Sequence, residues 1–559
     1  MSSQFEPRSQ MQDRLFSGLS AMFGREVPLY DKSLLVNQVV NRAACDLLAK
    51  LYRGFFVTDE KLATVGGERH GAIRIGTPKE FRWITRFFAC FGMEPHGFYD
   101  LTSIGPKSQP VVATAFRSAV APEHRVFASL LQTGSFGRET RERVEQALDD
   151  RQVFSDRTKH LIESAERDGG LSSTDSSELI RLATDRIFRW TGTARDHGLY
   201  VELCDAGYKI AADIACFDSH HLNHLTPNTV CIDLFTASMR YCMGVIDSST
   251  FRSCAETAVS DLLRDADLHW MVLHFNHLSS ESLNSFEAVK VTNAEQSNTI
   301  ESILDRLSQP DLELHRLPHS GFKEATEGPP TGIPVLLRQD AYRALTESVI
   351  FRDQDGSTVD SSHTARFGEI EQRFYATTPA GRALYDECLR NADTASDQQR
   401  RLEAFASFPQ SLDALLQQGI VYGLYSATPH GIEAARSGVP FGTNNIHALI
   451  RRGFVRAEGQ RYEDFLPFSA AGIFSSNLDQ RGSKPPMTTA QSHTESDLED
   501  IMNRKIIDPN RTYARIQAQS LLETFTALGL LDQLDSESVE ILQTNATVCP
   551  DQIQTERLL

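Results

Sequence analysis

The chain has 559 residues, enough for three or four domains at roughly 150 residues each. Its 56 basic and 74 acidic side chains give a formal net charge of −18, which argues against a nucleic-acid partner and against a polybasic membrane surface. The nine cysteines include no C-x-x-C pair. The sequence has no run of about 18 apolar residues, so no membrane span is predicted. The N-terminus lacks the apolar core of a signal peptide. We therefore expect a cytoplasmic protein without a disulfide framework.

The predicted elements alternate along the chain between helical and strand-rich stretches. Apolar residues recur every three or four positions, and so predict helices, over residues 10–55, 123–190, 379–420, 428–453 and 498–535. Short apolar runs broken by Gly or Pro predict strands over residues 62–120, 208–233 and 313–378, with one helix at 79–91. Residues 236–310 are Ser-rich and poorly periodic, and 480–497 have the composition of a linker. The sequence thus predicts an α+β protein, a mixed sheet wrapped by helices.

The first strand with chemical potential is residues 68–74, ERHGAIR. Side chains alternate along a strand, so His70, Ala72 and Arg74 share a face, and Arg74 lies roughly 13 Å from His70. An imidazole and a guanidinium separated by a small residue suit a short oxo acid, because Arg can hold a carboxylate with two hydrogen bonds. The alternative is an ordinary surface strand.

A second segment, residues 219–227, contains three histidines in the sequence SHHLNHLTP. Neutral imidazole is a good ligand for iron, zinc or nickel. His224 begins an apolar strand and is the preferred candidate. For His220 and His221 the alternative is that they are hydrogen-bonded loop histidines, which is the commoner role of a histidine.

The third segment is residues 364–373, TARFGEIEQR, in which Glu369 and Glu371 share one strand face. A carboxylate buried among apolar neighbours is costly unless it is paired or bound to a metal. An exposed, charged edge strand is the alternative. Two histidines and one carboxylate on strands are the ligand set of non-haem Fe(II) oxygenases. Spacing alone does not establish that the three segments meet.

A competing histidine group lies at residues 267–279, where His269, His274 and His277 echo the second segment. Their spacings of five and three do not place all three on one face of a helix or strand. The sequence lacks G-x-G-x-x-G, Walker A, G-x-S-x-G and H-E-x-x-H motifs. Dinucleotide, nucleotide and serine-hydrolase functions therefore lose their main support.

Taken together, these segments resemble the 2-oxoadipate dioxygenase/decarboxylase family, also called hydroxyglutarate synthase, of the vicinal oxygen chelate superfamily. The resemblance runs through most of the chain and rests on strings in the family's order at residues 68–74, 99–101, 223–227, 335–339, 363–373 and 462–474. It implies a vicinal-oxygen-chelate-like curved mixed β-sheet that encloses a metal site. It also implies conversion of 2-oxoadipate and O2 to 2-hydroxyglutarate and CO2, as in lysine catabolism.

By this resemblance, His70, His224 and Glu369 bind Fe(II), and the family's carboxylate strand favours Glu369 over Glu371 as the ligand. Arg74 holds a carboxylate of the substrate, and Phe468 lines the substrate pocket. The implied partners are a small 2-oxo dicarboxylic acid and O2. The oligomeric state and the preferred 2-oxo acid do not follow from the sequence.

Three residues depart from the family's pattern: Phe468 replaces Val, Asn228 replaces Arg and Phe374 replaces Gly. They keep open the alternative of a non-catalytic metabolite-binding protein. A second alternative is an O2-independent metal-dependent isomerase or lyase on a small oxo acid, since vicinal oxygen chelate sites also host such enzymes. Residues 236–310 match nothing recognised in shorter bacterial members. We therefore expect a catalytic core at 1–235 and 311–480, an insertion of uncertain structure at 236–310, and a linker with a helical C-terminal tail at 481–559.

Overall fold

The computed structural model describes residues 5–102, 108–118, 123–149, 151–275, 277–278, 283, 285–317, 328–353, 355–393, 402–466 and 492–547. Its helices, in chain order, are α1 (Arg8–Glu26), α2 (Pro28–Leu51), α3 (Asp59–Val65), α4 (Pro78–Cys90), α5 (Arg138–Asp149), α6 (Asp156–Asp168), α7 (Ser173–Leu182), α8 (His197–Asp205), α9 (Lys209–Cys216), α10 (Ile232–Cys242), α11 (Ser248–Asp265), α12 (Leu268–His274), α13 (Asn293–Leu307), α14 (Pro379–Asp393), α15 (Leu412–Gln417), α16 (Pro429–Arg436), α17 (Ile446–Arg451), α18 (Glu495–Met502), α19 (Pro509–Ala527) and α20 (Ser536–Thr547).

The strands are β1 (Tyr52–Arg53), β2 (Glu68–Ile75), β3 (Met93–Asp100), β4 (Val111–Ser118), β5 (Arg125–Leu131), β6 (Thr193–Arg195), β7 (His224–Pro227), β8 (Glu287–Ala288), β9 (Leu337–Arg352), β10 (Thr358–Arg373), β11 (Gly423–Ala427) and β12 (Val455–Gly459). The largest sheet has the order β3-β4-β5-β2-β7, with β2 parallel to β5 and antiparallel to β7. A second sheet has the order β10-β9-β6. The predicted α+β class, with mixed helices and sheets, is confirmed.

The two faces of the five-stranded sheet bury different clusters. Ile73, Val126 and Phe116 pack with α1, α2 and α4 in the main core. Residues of opposite parity, such as Ala72 and Phe127, pack against α8 and α9 in a separate cluster. Because both faces are covered, the central strands β4 and β5 are fully buried and mostly apolar, and a charged residue on such a strand needs a buried partner.

The predicted β-structure at 208–233 is largely wrong. Lys209–Cys216 forms helix α9, and only His224–Pro227 is a strand. The run IAADIAC is buried on every side except at its Lys209 end, so it lacks the polar face that reveals a helix by its period.

Residues 236–310, expected to have uncertain structure, contain α11, α12 and α13, which pack into the main core through Phe251, Trp270 and Ile303. Their status as an insertion stays a prediction. In the expected tail, α19 packs on β11 through hydrogen bonds from Gly423 to Gln517 and from Tyr425 to Ser520. In the described part of the chain, no helix is long and apolar enough to cross a membrane.

Candidate metal centre

The candidate site forms where the two larger sheets meet. Strand β7, at the edge of the five-stranded sheet, lies beside β10 of the second sheet. The backbone amide of Thr229 donates to the carbonyl of Glu371 across this junction at 2.9 Å. His70 on β2, His224 on β7 and Glu369 on β10 therefore converge although they are far apart in sequence.

The three side chains are fully buried and close enough to share one ion. His70 Nε2 lies 3.9 Å from Glu369 Oε2, and His224 Nδ1 lies 3.4 Å from Glu369 Oε1. Two ligands at about 2.0–2.2 Å from a metal are separated by about 3–4 Å, so these distances suit a common ion. Each of the three side chains offers one ligand atom, and these three atoms all lie within 4.8 Å of one another. Among the His, Cys, Asp and Glu side chains of the described ranges, this is the group that could hold a metal ion.

The protonation of the two histidines also suits a metal. Burial lowers the pKa of His70 and holds that of His224 well below its ordinary value, so both rings are neutral. Within the described ranges, no ring nitrogen of His70 or His224 has a partner with full hydrogen-bond geometry, although His70 Nδ1 lies 3.0 Å from Glu371 Oε2. Buried polar atoms are normally satisfied, and a metal would satisfy one nitrogen of each ring. The residues present therefore fit a metal ion.

Glu369 is oriented by two neutral donors. Thr226 Oγ1 donates to Glu369 Oε2 at 2.9 Å, and Gln339 Nε2 donates to the same oxygen. Strands β9 and β10 are antiparallel, and Gln339 lies directly opposite Glu371. The Gln339 side chain reaches Glu369 diagonally, because Glu369 and Glu371 point to the same face of β10. These bonds fix the carboxylate without neutralising it.

Glu371, the competing carboxylate, does not join the group of three. Its Oε2 lies 3.0 Å from His70 Nδ1, the nitrogen on the other side of the ring from Nε2. Burial raises the pKa of Glu371, but Arg373 and His70 more than offset this and hold that pKa well below its usual value. Glu371 is therefore an ionised carboxylate behind His70.

Arg74 lies on the same strand face as His70 and close enough to His224 to lower the pKa of that imidazole. Its guanidinium donates to Asp213 Oδ2 at 3.0 Å, and both side chains are buried. Asp213, on α9, also contacts Lys209 Nζ at 2.5 Å and His363 Nε2 at 3.2 Å. The Arg74 charge is thus already paired with a carboxylate of the protein.

The other predicted site residues have separate positions. Phe468 lies outside the described residues. His220 and His221 are buried away from the group of three. In the competing segment, His274 stacks on Trp270 with ring centroids 3.9 Å apart and bonds its backbone carbonyl at 3.0 Å, so it is a structural histidine.

Two residues that depart from the family pattern have structural partners. The Asn228 amide donates to the Val65 carbonyl at 2.9 Å and accepts a hydrogen bond from Arg461. Phe374 is buried in a third cluster, with its ring against His274. Neither side chain is among the three donors.

The contacts of Asp213, Gln339 and Glu371 were not predicted from the sequence. Gln339 and Glu371 lie within strings that carried the resemblance, but nothing in their spacing indicates which atoms they bind. Asp213 lies in the stretch wrongly predicted as a strand.

Two imidazoles and one carboxylate on strands of two adjoining sheets form a candidate metal centre with the ligand set of the two-histidine, one-carboxylate class. The model of the 2-oxoadipate dioxygenase/decarboxylase family matches residues 15–264 and 265–477. The chain belongs to this family.

Named relatives match over nearly the whole chain. The 2-oxoadipate dioxygenase/decarboxylase of Escherichia coli is 33% identical over 526 residues, covering 91% of this chain and 97% of the relative. That of Pseudomonas putida is 33% identical over 540 residues, covering 92% and 96%. The crystal structure of the Pseudomonas putida hydroxyglutarate synthase in complex with 2-oxoadipate superposes with a TM-score of 0.65 at 29% identity, covering 95% of this chain and all of that one.

Proposed function

We propose that this protein is an Fe(II)-dependent dioxygenase/decarboxylase that converts 2-oxoadipate and O2 to 2-hydroxyglutarate and CO2. The observation that carries the proposal is the buried group of His70, His224 and Glu369 in a chain of this family. The atoms of the reaction balance without a further reductant, because the oxo acid supplies the electrons that reduce O2.

The donor set favours iron. Imidazole and carboxylate suit Fe(II), and three protein ligands leave positions open for other molecules. Fe(II) in this centre would supply O2 activation and a binding position for the 2-oxo acid. The neutral state of His70 and His224 supports a role as ligands, since a protonated imidazole nitrogen cannot bind a metal.

Arg74 is proposed to hold a carboxylate of the substrate. A guanidinium has five N–H donors, and the bond to Asp213 uses one of them, so Arg74 can hold a second carboxylate as well. Its position four residues along β2 from His70 suits the length of a six-carbon dicarboxylate lying along the strand. Phe468 is proposed to line the same pocket.

The walls of the site are proposed to admit the substrate and exclude water. Ala72, Ala113 and Ala115 lie on the same sheet face as His70, beside the rings of Phe127 and Phe465. Small residues leave room above the sheet, and the aromatic rings supply an apolar boundary. Exclusion of water strengthens the electrostatic interactions of Arg74 with a bound carboxylate.

Further features remain proposals of the same kind. Convergence of β2, β7 and β10 on one centre supports a vicinal-oxygen-chelate-like arrangement. A cytoplasmic location and a role in lysine degradation agree with the proposed substrate. The absence of a nucleic-acid partner rests on the net charge.

The test is turnover of 2-oxoadipate by purified protein loaded with Fe(II), in air and under anaerobic conditions. We expect O2 uptake, CO2 release and 2-hydroxyglutarate formation in a 1:1:1 ratio. Glu369→Ala should abolish all three, whereas Glu523→Ala, a change on exposed helix surface, should leave them unchanged. CO2 release without O2 would favour a lyase, and binding of 2-oxoadipate without turnover would favour a metabolite-binding protein.

A further inference from the structure

Behind the candidate centre, a buried chain of charged contacts begins at the far side of the His70 ring. His70 Nδ1 lies 3.0 Å from Glu371 Oε2, and neither side chain is exposed to solvent. Glu371 is held by Arg373, which donates from Nε to Oε1 at 2.6 Å and from a terminal nitrogen to Oε2 at 2.9 Å. The other terminal nitrogen of Arg373 donates to the carbonyls of Tyr462 and Asp464.

This arrangement determines which His70 nitrogen can bind a metal. A neutral imidazole carries one proton, and the adjacent carboxylate favours that proton on Nδ1. The lone pair then lies on Nε2, which points to Glu369 Oε2 at 3.9 Å. A carboxylate in this position also fixes the ring plane and makes the other nitrogen a better donor.

Arg373 explains how a second carboxylate is tolerated beside Glu369. An unpaired buried charge is strongly destabilising, whereas a carboxylate held by two guanidinium hydrogen bonds is compensated. Because Arg373 is itself fixed by two backbone carbonyls, Glu371 is held on Nδ1 rather than turned toward the centre.

We propose that Glu371 is a positioning residue for the metal, acting through His70, with Arg373 as its fixed counter-charge. The proposal rests on the proposed function only in making His70 a metal ligand. It does not depend on which 2-oxo acid is the substrate.

The test compares metal affinity in two carboxylate variants, using Co(II) as the probe and its visible absorption as the readout. Glu371→Gln should raise the Co(II) dissociation constant by about 10–100-fold and alter the absorption bands. The matched control is Glu80→Gln. Glu80 is another buried carboxylate held by two hydrogen bonds from one arginine, Arg151, at 2.9 and 2.6 Å. The Glu80→Gln control should leave the Co(II) dissociation constant within about threefold of the parent value.

Equal affinity in Glu371→Gln and the parent, or equal losses in both variants, would overturn the proposal. Should Glu371→Gln fail to fold, the double variant Glu371→Gln/Arg373→Gln replaces it, since it removes the carboxylate and its counter-charge together. The expected loss of Co(II) affinity is the same. A crystal structure of the Co(II)-loaded parent provides a measurement independent of any variant. It should have cobalt on His70 Nε2 and Glu371 on Nδ1, and cobalt bound by Nδ1 or by Glu371 would contradict the proposal.

The two proposals fail in distinguishable ways. A parent protein that binds Co(II) through His70 but does not turn over 2-oxoadipate would contradict the proposed function and leave the role of Glu371 intact. Unchanged Co(II) affinity in Glu371→Gln, together with turnover of 2-oxoadipate by the Fe(II)-loaded parent, would overturn the role of Glu371 and leave the proposed function intact.

Discussion

Replacing Asp213 by asparagine should destabilise the protein by about 3–5 kcal/mol, the usual cost of removing one partner from a buried ion pair. The side chain of Asp213 is 1% exposed and that of Arg74 is 8% exposed, so the Arg74 charge would be left buried without a carboxylate. Lys209 is 29% exposed and can turn toward solvent, so it should add little. The expected loss therefore comes mainly from Arg74.

The same substitution should reduce activity through the position of Arg74. A displacement of about 1 Å in a group that orients the substrate costs about 100-fold in rate, so kcat/KM for 2-oxoadipate should fall by about that factor. Metal affinity should stay near the parent value, because Asp213 contacts none of the three metal-capable side chains directly.

Urea unfolding followed by tryptophan fluorescence measures the stability change. Trp190, one of three tryptophans, stacks on His363 with ring centroids 5.2 Å apart, and His363 contacts Asp213. The matched control is Asp218→Asn, which breaks a partly exposed pair with Arg195 and should cost about 0.2–1 kcal/mol. If Asp213→Asn unfolds within about 1 kcal/mol of the parent, the argument from buried charge is wrong.

Three further predictions concern the same region. Co(II) at about 100 times its dissociation constant should stabilise the parent and His269→Ala by about 2.7 kcal/mol in urea unfolding, but not His224→Ala. Burial lowers the pKa of His363 to about 4, below its value of about 6.5 in the unfolded chain. The stability that neutral His363 contributes to the folded state is therefore complete above pH 6.5 and is lost as the pH falls toward 4. The stability gap between the parent and His363→Gln should narrow by about 2–3 kcal/mol from pH 7 to 4.5, and a constant gap would contradict this. Phe465→Ala should lower the free energy of unfolding by about 3–5 kcal/mol, because the Phe465 ring is buried with its centroid 4.8 Å from that of His70. In the control Phe56→Ala, the ring removed is 73% exposed, so the free energy of unfolding should fall by less than about 0.5 kcal/mol.

The parts of the site that follow strand alternation could be predicted from the sequence. His70 and Arg74 share a face because their spacing is even, and the same rule placed Glu369 and Glu371 together. The choice between those two carboxylates came from the resemblance, and the observed grouping of Glu369 with the histidines agrees with it. Alternation alone could not make the choice, since both point the same way.

Long-range pairings could not be predicted in this way. The bond between Arg74 and Asp213 joins residues 139 positions apart, and it depends on how α9 packs over the sheet. Helix α9 was missed because a short helix buried on nearly all sides has the same apolar composition as a buried strand. Helices α11, α12 and α13, which lie within residues 236–310, were missed because packing, more than a strict period, fixes them.

The alternation along β10 places three charged side chains at every second position: the metal-capable Glu369, then Glu371 against the His70 ring, then Arg373 as the counter-charge of Glu371. Deleting the one residue between Glu369 and Glu371 would turn Glu371 and Arg373 to the other face of the strand, whereas Glu369 would keep its orientation. Loss or gain of such a centre by insertion and deletion would therefore be abrupt, whereas point substitutions could tune it gradually. Grafting this chemistry onto another fold would require residues 369–373 in register, together with the strands that carry His70 and His224.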